Sequence, residues 1–540
     1  MSEQETNEIS QSRIAGLARS AGTVSAGVGL SRIFGLIREQ TFAYVFGAGL
    51  ANDAFVVAFR IPNLLRDLFA EGAFSSAFVP TFSEVNTKKG REAAFRLANN
   101  AANALSLILA AISLIGILAS PWLVPLFAPG FAKIPGKLPL TISLTQIMFP
   151  FLLFIGMAAL AMGVLNTFRR FAVPALAPCL LNLMMILAGF FLCPLFGAAP
   201  ERQIYGMAIG ALLGGLFQFL FQVPSLFKEG FRFLPILDFR DPGVRQIAKL
   251  MLPAVIGLSA TQVNIFVNTL LASFLSQGSV SYLNYSNRLV QLPIGLFGVA
   301  IATVVLPTVA GQVAREKLDE VRKTVSSALR LVFFLTLPAA VGLVVLAKPI
   351  ISLLYEHGRF TALDTVGTAN ALGLYCLGLF AYASVRSLVP TFYSLKDAAT
   401  PVKASFAAVG TNIALNLLLM GPLGYRGLAL ATSCSAFVNM GLLLFFLRRK
   451  LGTVDGGRLT RTFFKVLIAA LGMGAAAWLA SSSLGGVRAA PKVLAFLQVA
   501  AGLLGGLLIY GAAAKALRIT EMDDFIRAFI RRNRKGVRNG

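Results

Sequence analysis

The sequence predicts an all-α polytopic membrane protein of about fourteen transmembrane helices. Three observations carry that expectation: apolar runs of spanning length along nearly the whole chain, a low charged fraction, and basic residues gathered in alternate loops. Of the 540 residues, 56% are hydrophobic and 13% are charged, whereas a soluble globule carries about a quarter charged residues. The apolar runs begin near Ser20, Asn52, Arg96, Leu138, Phe171, Gln203, Gln246, Val280, Thr324, Thr365, Thr400, Gly424, Thr462 and Lys492.

The net charge of +25 is large enough for nucleic-acid binding, but its distribution argues against nucleic acid as a partner. Numbering loops alternately from a cytoplasmic N-terminus, about 33 Lys/Arg fall on that side, about 8 on the other and about 7 in the spans. Both termini are therefore expected in the cytoplasm. The clusters Lys88/Lys89/Arg91, Arg169/Arg170, Arg448/Arg449/Lys450 and Arg531/Arg532/Arg534/Lys535 read as topology signals and anionic-lipid contacts. Residues 1–20 lack an apolar core and cleavage site, so the first span is expected to direct insertion. Cys179, Cys193, Cys376 and Cys434 lie in or at the ends of separate spans, without zinc or disulfide spacing. With His357 the single histidine and no Walker motif present, neither an enzyme nor a bound cofactor is expected.

An internal repeat organises the chain. Val164-Leu165-Asn166-Thr167-Phe168 resembles Leu388-Val389-Pro390-Thr391-Phe392, and Val79-Pro80-Thr81 resembles Leu306-Pro307-Thr308, at offsets of about 224 and 227. Both offsets skip six spans, which keeps orientation, so two parallel-repeat six-helix lobes are expected. The divisions are an N-terminal tail at 1–19, a first lobe at 20–225, a charged linker at 226–246 and a second lobe at 247–450. A linker with a two-helix hairpin at 451–514 and a basic tail at 515–540 complete the chain. Pro62, Gly72, Pro80, Pro293 and Pro338 interrupt spans where freed backbone groups suit either a cavity wall or a packing kink. Gly206, Gly210 and Gly214 read as a helix-packing face.

Seven arginines lie inside spans: Arg32, Arg38, Arg60, Arg66, Arg288, Arg330 and Arg386. Facing lipid, the set would cost on the order of 20 kcal/mol, so part of it is expected to line a wet, protein-walled cavity suited to a large anion. Asn284, Asn287, Arg288 and Gln291 fall at i, i+3, i+4 and i+7, one polar stripe on an apolar helix. The alternative for that stripe is a hydrogen-bonded seam between lobes. Asp53, Arg60 and Glu71 recur about 20° apart in phase, which offers Arg60 a neutralising face. Arg32, Arg38 and Arg66 have no such partner on their own faces, and a guanidinium binds phosphate oxygens bidentately without losing its proton. Asn268, Asn412, Asn416 and Thr432 form a second polar set, suited to interhelical hydrogen bonds or alternatively to a cation site. The hairpin's Gly472, Gly474, Ala475, Ala476, Gly502, Gly505 and Gly506 suggest a shallow surface for an apolar chain.

Several of these runs resemble the MurJ (MviN) lipid II flippases. They are Ser31-Arg32-Ile33-Phe34-Gly35-Leu36-Ile37-Arg38-Glu39, Phe46-Gly47-Ala48-Gly49, Asn52-Asp53-Ala54-Phe55, Pro62-Asn63-Leu64-Leu65-Arg66, Ala70-Glu71-Gly72-Ala73-Phe74, and Asn287-Arg288-Leu289 with Gln291-Leu292-Pro293. The resemblance implies a MATE-like exporter fold with two extra helices, and a cationic cavity for the diphosphate and sugar-peptide head group of lipid II. It also implies a groove beside the extra helices for the polyprenyl tail. It assigns substrate contacts to Arg32, Arg38, Asp53, Arg66 and Arg288, beside which Asn287 and Gln291 stand on the same stripe. Some members bind sodium through acidic side chains where this chain has Asn268, Asn412 and Asn416, which leaves membrane potential or a monovalent cation as the energy source. The implied activity is flipping of lipid II across the bacterial inner membrane by a monomer among membrane lipids. The alternatives are another polyprenyl-diphosphate-linked glycan, or export of an amphiphile.

Overall fold

The computed structural model describes residues 3–452, 455–485 and 490–523, except the side chains of 3–23, 25, 68–71, 254, 256–258, 260 and 261. The closing basic cluster Arg531/Arg532/Arg534/Lys535 and the Glu71 side chain fall outside the described residues. Within them the chain is helical and forms two compact units, Met1–Gly278 and Ser279–Gly540.

In the first unit α1 spans Glu3–Phe46, α2 Leu50–Leu65, α3 Ser75–Phe127, α4 Lys137–Met148 and α5 Phe151–Thr167. They are followed by α6 (Ala172–Leu187), α7 (Pro200–Leu220), α8 (Val223–Lys228) and α9 (Pro242–Ser273). Two large apolar clusters lie in the unit. One joins Phe42, Phe55, Leu144, Phe151, Met185 and Met207, and the other joins Phe78, Phe82, Leu105, Leu160, Val164 and Leu226. The seventh span, α9, packs on α3 and on residues 66–74 and falls in the first compact unit.

The second unit holds α10 (Ser279–Pro293), α11 (Val299–Ala314), α12 (Leu318–Val345), α13 (Ala347–Tyr355), α14 (Ala362–Leu377) and α15 (Leu379–Ser394). It closes with α16 (Ala399–Leu423), α17 (Tyr425–Leu451), α18 (Gly456–Ser482) and α19 (Pro491–Ala516). The hairpin α18–α19 packs on α12 through Phe333, Phe334, Leu337, Val466, Met473 and Tyr510, whose hydroxyl donates to the Phe334 carbonyl at 2.6 Å. Its small residues serve mainly that packing. A Cβ on Gly502 would lie 2.7 Å from Leu346, and Gly506 faces Met473, whereas Gly472 is open.

Among the described residues, ten helices are long and apolar enough to cross a membrane, or eleven if α14 and α15, bent by 45°, form one span. The three other spans expected from the sequence, α1, α2 and α9, are helical but fall outside that set. Of these, α2 covers only 16 residues before the π-helix, and the described part of α1 carries Arg32, Arg38 and Glu39.

The proline signals have a local outcome. Past Pro62 the second span widens into a π-helix over Arg66–Phe74, and directly after Pro293 the eighth widens over Ile294–Gly298. The repeat offset of about 227 carries 66–74 onto 293–301, so both units widen the equivalent helix at the equivalent depth. Insertions of this kind recur at functional sites. The Gly206/Gly210/Gly214 face lies against α6 and the turn after it, where a Cβ at Gly206 would meet the Cys193 backbone at 2.8 Å.

Gly90 separates the second and third spans inside α3, with φ +84° and ψ 174°, a region open essentially to glycine. Gly90→Ala should therefore lower stability by about 1–3 kcal/mol, read as a reduced thermal unfolding temperature in detergent. Gly472→Ala, in open space on α18, should leave that temperature unchanged or slightly raised.

Candidate functional site

The first unit places its four intramembrane arginines differently. Arg32 on α1 is exposed. Arg38, further along the same helix, is largely buried and pairs with Glu39 at 2.6 Å. Arg66 opens the π-helix and pairs with Asp67 at 2.9 Å, and Asp67 in turn accepts from Gln262 of α9 at 3.4 Å. The sequence offers Arg38 and Arg66 no partner on their own helical faces, and each is met instead by the next residue. Adjacent residues point about 100° apart on a helix, but a guanidinium stem is long enough to fold back to its neighbour. Arg60 donates to Thr269 Oγ1 of α9 at 2.6 Å.

Asp53 is the most buried of the candidate charges, at 1% exposure. It pairs with Lys137 at 2.8 Å and accepts the Gly278 backbone N–H at 2.8 Å. Lys137 is equally enclosed, with its Nζ 4.1 Å from the Phe131 ring centroid. By sequence Lys137 is a loop charge, and Asp53 is offered to the substrate and to the Arg60 face. In the structure, the Asp53 carboxylate ties α2 to α4 and to the end of the unit.

In the second unit the polar stripe of α10 lies along one side of the helix. Asn287, Arg288 and Gln291 are exposed and Asn284 half-buried, while Tyr285, Ser286, Leu289 and Val290 are buried on the opposite side. Ser286 fixes that register by donating to the Thr368 carbonyl of α14 at 2.8 Å. Arg386 on α15 is exposed. Arg330 departs from the cavity expectation: it pairs with Glu521, beyond α19, at 3.1 Å, with both side chains nearly enclosed.

The asparagine set is split. Asn268 lies in the first unit and donates to the carbonyl of Asn264 at 2.9 Å. Asn412, Asn416 and Thr432 lie in the second, where Asn416 donates to Asn412 Oδ1 at 2.9 Å and Asn412 approaches Thr432 Oγ1 at 3.4 Å. Outside the spans, Arg170 and Arg91 both bond Glu229, at 2.6 and 2.7 Å. Hydrogen bonding from Arg170 is the largest influence on the Glu229 carboxyl, and together with Arg91 it holds that group below its ordinary range although burial works the other way.

A cavity of about 980 Å³ in the second unit has none of these arginines in its lining. One face of α14 lines it from end to end: Thr365, Val366, Ala369, Asn370, Gly373, Leu374 and Leu377 recur at helical spacing. The first turns of α19 and the last turn of α18, with Trp478, close it, and Lys348, Glu356 and Arg426 stand where several helices end. Charges thus mark one end of a mainly apolar groove.

The Asp53–Lys137 pair yields a direct test. Lys137→Met leaves a buried carboxylate without its counter-ion and should cost about 3–5 kcal/mol, measured as thermal unfolding of the purified protein. Combining it with Asp53→Asn should recover most of that loss, because the buried charge is then gone as well.

Comparison with known proteins places this geometry in a family. The family model described as Lipid II flippase MurJ matches residues 42–495. The chain is 42% identical over 434 residues to a probable lipid II flippase MurJ of Vibrio cholerae, covering 79% of this chain and 82% of that protein. It is 38% identical over 458 residues to the lipid II flippase MurJ of Burkholderia cenocepacia, covering 84% and 88%. Among solved structures, a lipid II flippase MurJ in an inward closed conformation superposes with a TM-score of 0.75 at 30% identity, over 92% of this chain and 99% of that one. An inward-facing multidrug MATE transporter of the MOP superfamily shares the fold, with a TM-score of 0.67 at 14% identity over 79% and 96%. The chain is a multi-pass membrane protein that belongs to the MurJ lipid II flippase family.

Proposed function

We propose that this protein flips lipid II from the cytoplasmic to the periplasmic leaflet of a bacterial inner membrane by alternating access. Both termini lie in the cytoplasm, the chain works as a monomer, and no covalent step is involved. The observation that carries this reading is the presence of arginines on membrane helices of a MurJ-family chain, with Arg288, Asn287 and Gln291 presented together on the exposed face of α10. Arg32, Arg38 and Arg66 supply further guanidinium groups from the first unit, each a fork for diphosphate oxygens. The acidic neighbours of Arg38 and Arg66 hold them while the site is empty and exchange them for the more highly charged diphosphate. Asp53 serves this site by holding α2 in place.

The α14 groove seats the polyprenyl tail in this reading. Hydrocarbon gains little on leaving lipid for an apolar wall, so such a groove guides the chain without binding it tightly. Asn412, Asn416 and Thr432 act as an interhelical seam, and the membrane potential returns the carrier to its starting state.

Replacing Arg288, Arg38 or Arg66 by Ala should lower flipping in proteoliposomes at least about tenfold while the protein still inserts. One lost charge-assisted contact costs roughly 1.5–3 kcal/mol. Lysine at the same positions should rescue only in part. Wild-type rates in all three Ala variants would remove the site. Gly373→Trp, at a groove position where a new Cβ meets nothing within 4 Å, should slow a substrate with a full-length tail several-fold and spare a short-chain analogue. Equal effects on both substrates would take the tail out of this groove.

A further inference from the structure

The segment joining α8 to α9 has no helix, yet it is tied down. Asn99, Asn100 and Asn103, on one face of α3, reach it with their side chains. Asn99 donates to the Arg232 carbonyl at 2.9 Å and accepts from Leu234 N at 2.8 Å. Asn100 donates to the Asp238 carbonyl at 2.8 Å and accepts from Asp238 N at 2.7 Å. Asn103 donates to the carbonyls of Leu234 and Ile236 at 2.8 and 2.9 Å. Alternate residues of an extended chain thus turn their backbone polar groups onto helix α3, as an edge strand does onto a neighbour. Phe231, buried against Phe95, pins the start.

This pairing frees the rest of the segment from needing water. Irregular backbone is costly in an apolar layer because its polar groups go unsatisfied, and here three amides satisfy much of that need. The side chains facing outward are large and apolar: Phe227 is 56% exposed, Phe233 62%, Leu237 49% and Phe239 50%. Basic residues are interleaved with them, Lys228, Arg232, Arg240 and Arg245. The acidic residues of the stretch are engaged locally. Glu229 holds Arg91 and Arg170, Asp238 accepts from Arg240 N at 2.8 Å, and Asp241 caps α9 through Gly243 N at 2.7 Å. The apolar span Pro200–Lys228 ends where the segment begins, so the segment lies at a membrane boundary.

We propose that residues 227–240 form an interfacial anchor, whose aromatic and leucine side chains enter the headgroup layer of an anionic bilayer while its arginines contact lipid phosphates. Aromatic side chains at headgroup depth and clustered Lys/Arg against anionic lipid are the two chemistries such a layer selects. The α3 amides let an extended segment do what an amphipathic helix does elsewhere. The anchor depends neither on the transported substrate nor on which leaflet the segment faces.

The test uses the full chain in lipid nanodiscs, with the native Trp122 and Trp478 replaced by Phe and a single tryptophan introduced as Phe233→Trp or Phe239→Trp. Brominated phospholipid should quench the new tryptophan about twofold or more, and aqueous iodide should quench it weakly. Quenching should be stronger in discs containing phosphatidylglycerol than in pure phosphatidylcholine, and Arg232→Glu with Arg240→Glu should abolish that difference. A tryptophan open to iodide and indifferent to brominated lipid overturns the anchor. Equal quenching in neutral and anionic discs overturns its electrostatic half. Far-ultraviolet circular dichroism of each variant confirms that the helices persist, and neither outcome requires a flipping measurement.

Discussion

A guanidinium keeps its proton at every depth of a bilayer, and the rest of this structure follows from where each such charge is allowed to rest. Lysine can shed its charge and histidine can titrate, but arginine must find a partner or water. Arg330 is enclosed with Glu521, Arg38 and Arg66 lean on the next residue, and Arg288 stands on an exposed helix face. The set thus grades from enclosed to exposed on helices of otherwise apolar character.

The same constraint governs the backbone. Where the helical ladder is interrupted inside a unit, a side chain or an altered ladder takes over. The π-helices after Pro62 and Pro293 reroute hydrogen bonds instead of losing them. The asparagines of α3 do the equivalent service for an extended segment. Inside a protein the effective dielectric is roughly 4–20 rather than about 80. A buried amide without a partner is correspondingly costly there, which makes each satisfied pair worth keeping.

Much of this was legible in the sequence because it is periodic. Apolar run length marks the helices, the i, i+3, i+4, i+7 spacing marks the exposed stripe of α10, and Pro62 and Pro293 mark spans whose helical ladder is interrupted. What escaped was pairing that periodicity does not encode. Lys137 looks like a loop charge because it opens a helix just after Gly136, and only the packing of α2 on α4 encloses it with Asp53. Arg38 with Glu39 and Arg66 with Asp67 defeat a helical-wheel argument, since stem length outweighs angular separation. Gly502 reads as shallow surface until Leu346 is seen against it. The asparagines Asn99, Asn100 and Asn103 are visible as polar residues in a span, but nothing local shows that their partner is a backbone more than a hundred residues on.

The enclosed pair of Arg330 and Glu521 has a consequence for how the chain is made. A ribosome adds about 5–20 residues per second, so α12 enters the membrane roughly 10–40 seconds before its counter-ion exists. During that interval the arginine must sit at the interface, its stem stretched toward the headgroups. Docking of α12 against the hairpin is then a late event, completed only when Glu521 leaves the exit tunnel. A chain truncated just before Glu521 would insert every span and still lack the means to settle that charge, which makes the turn beyond α19 a checkpoint in biogenesis as well as a fastening in the finished protein.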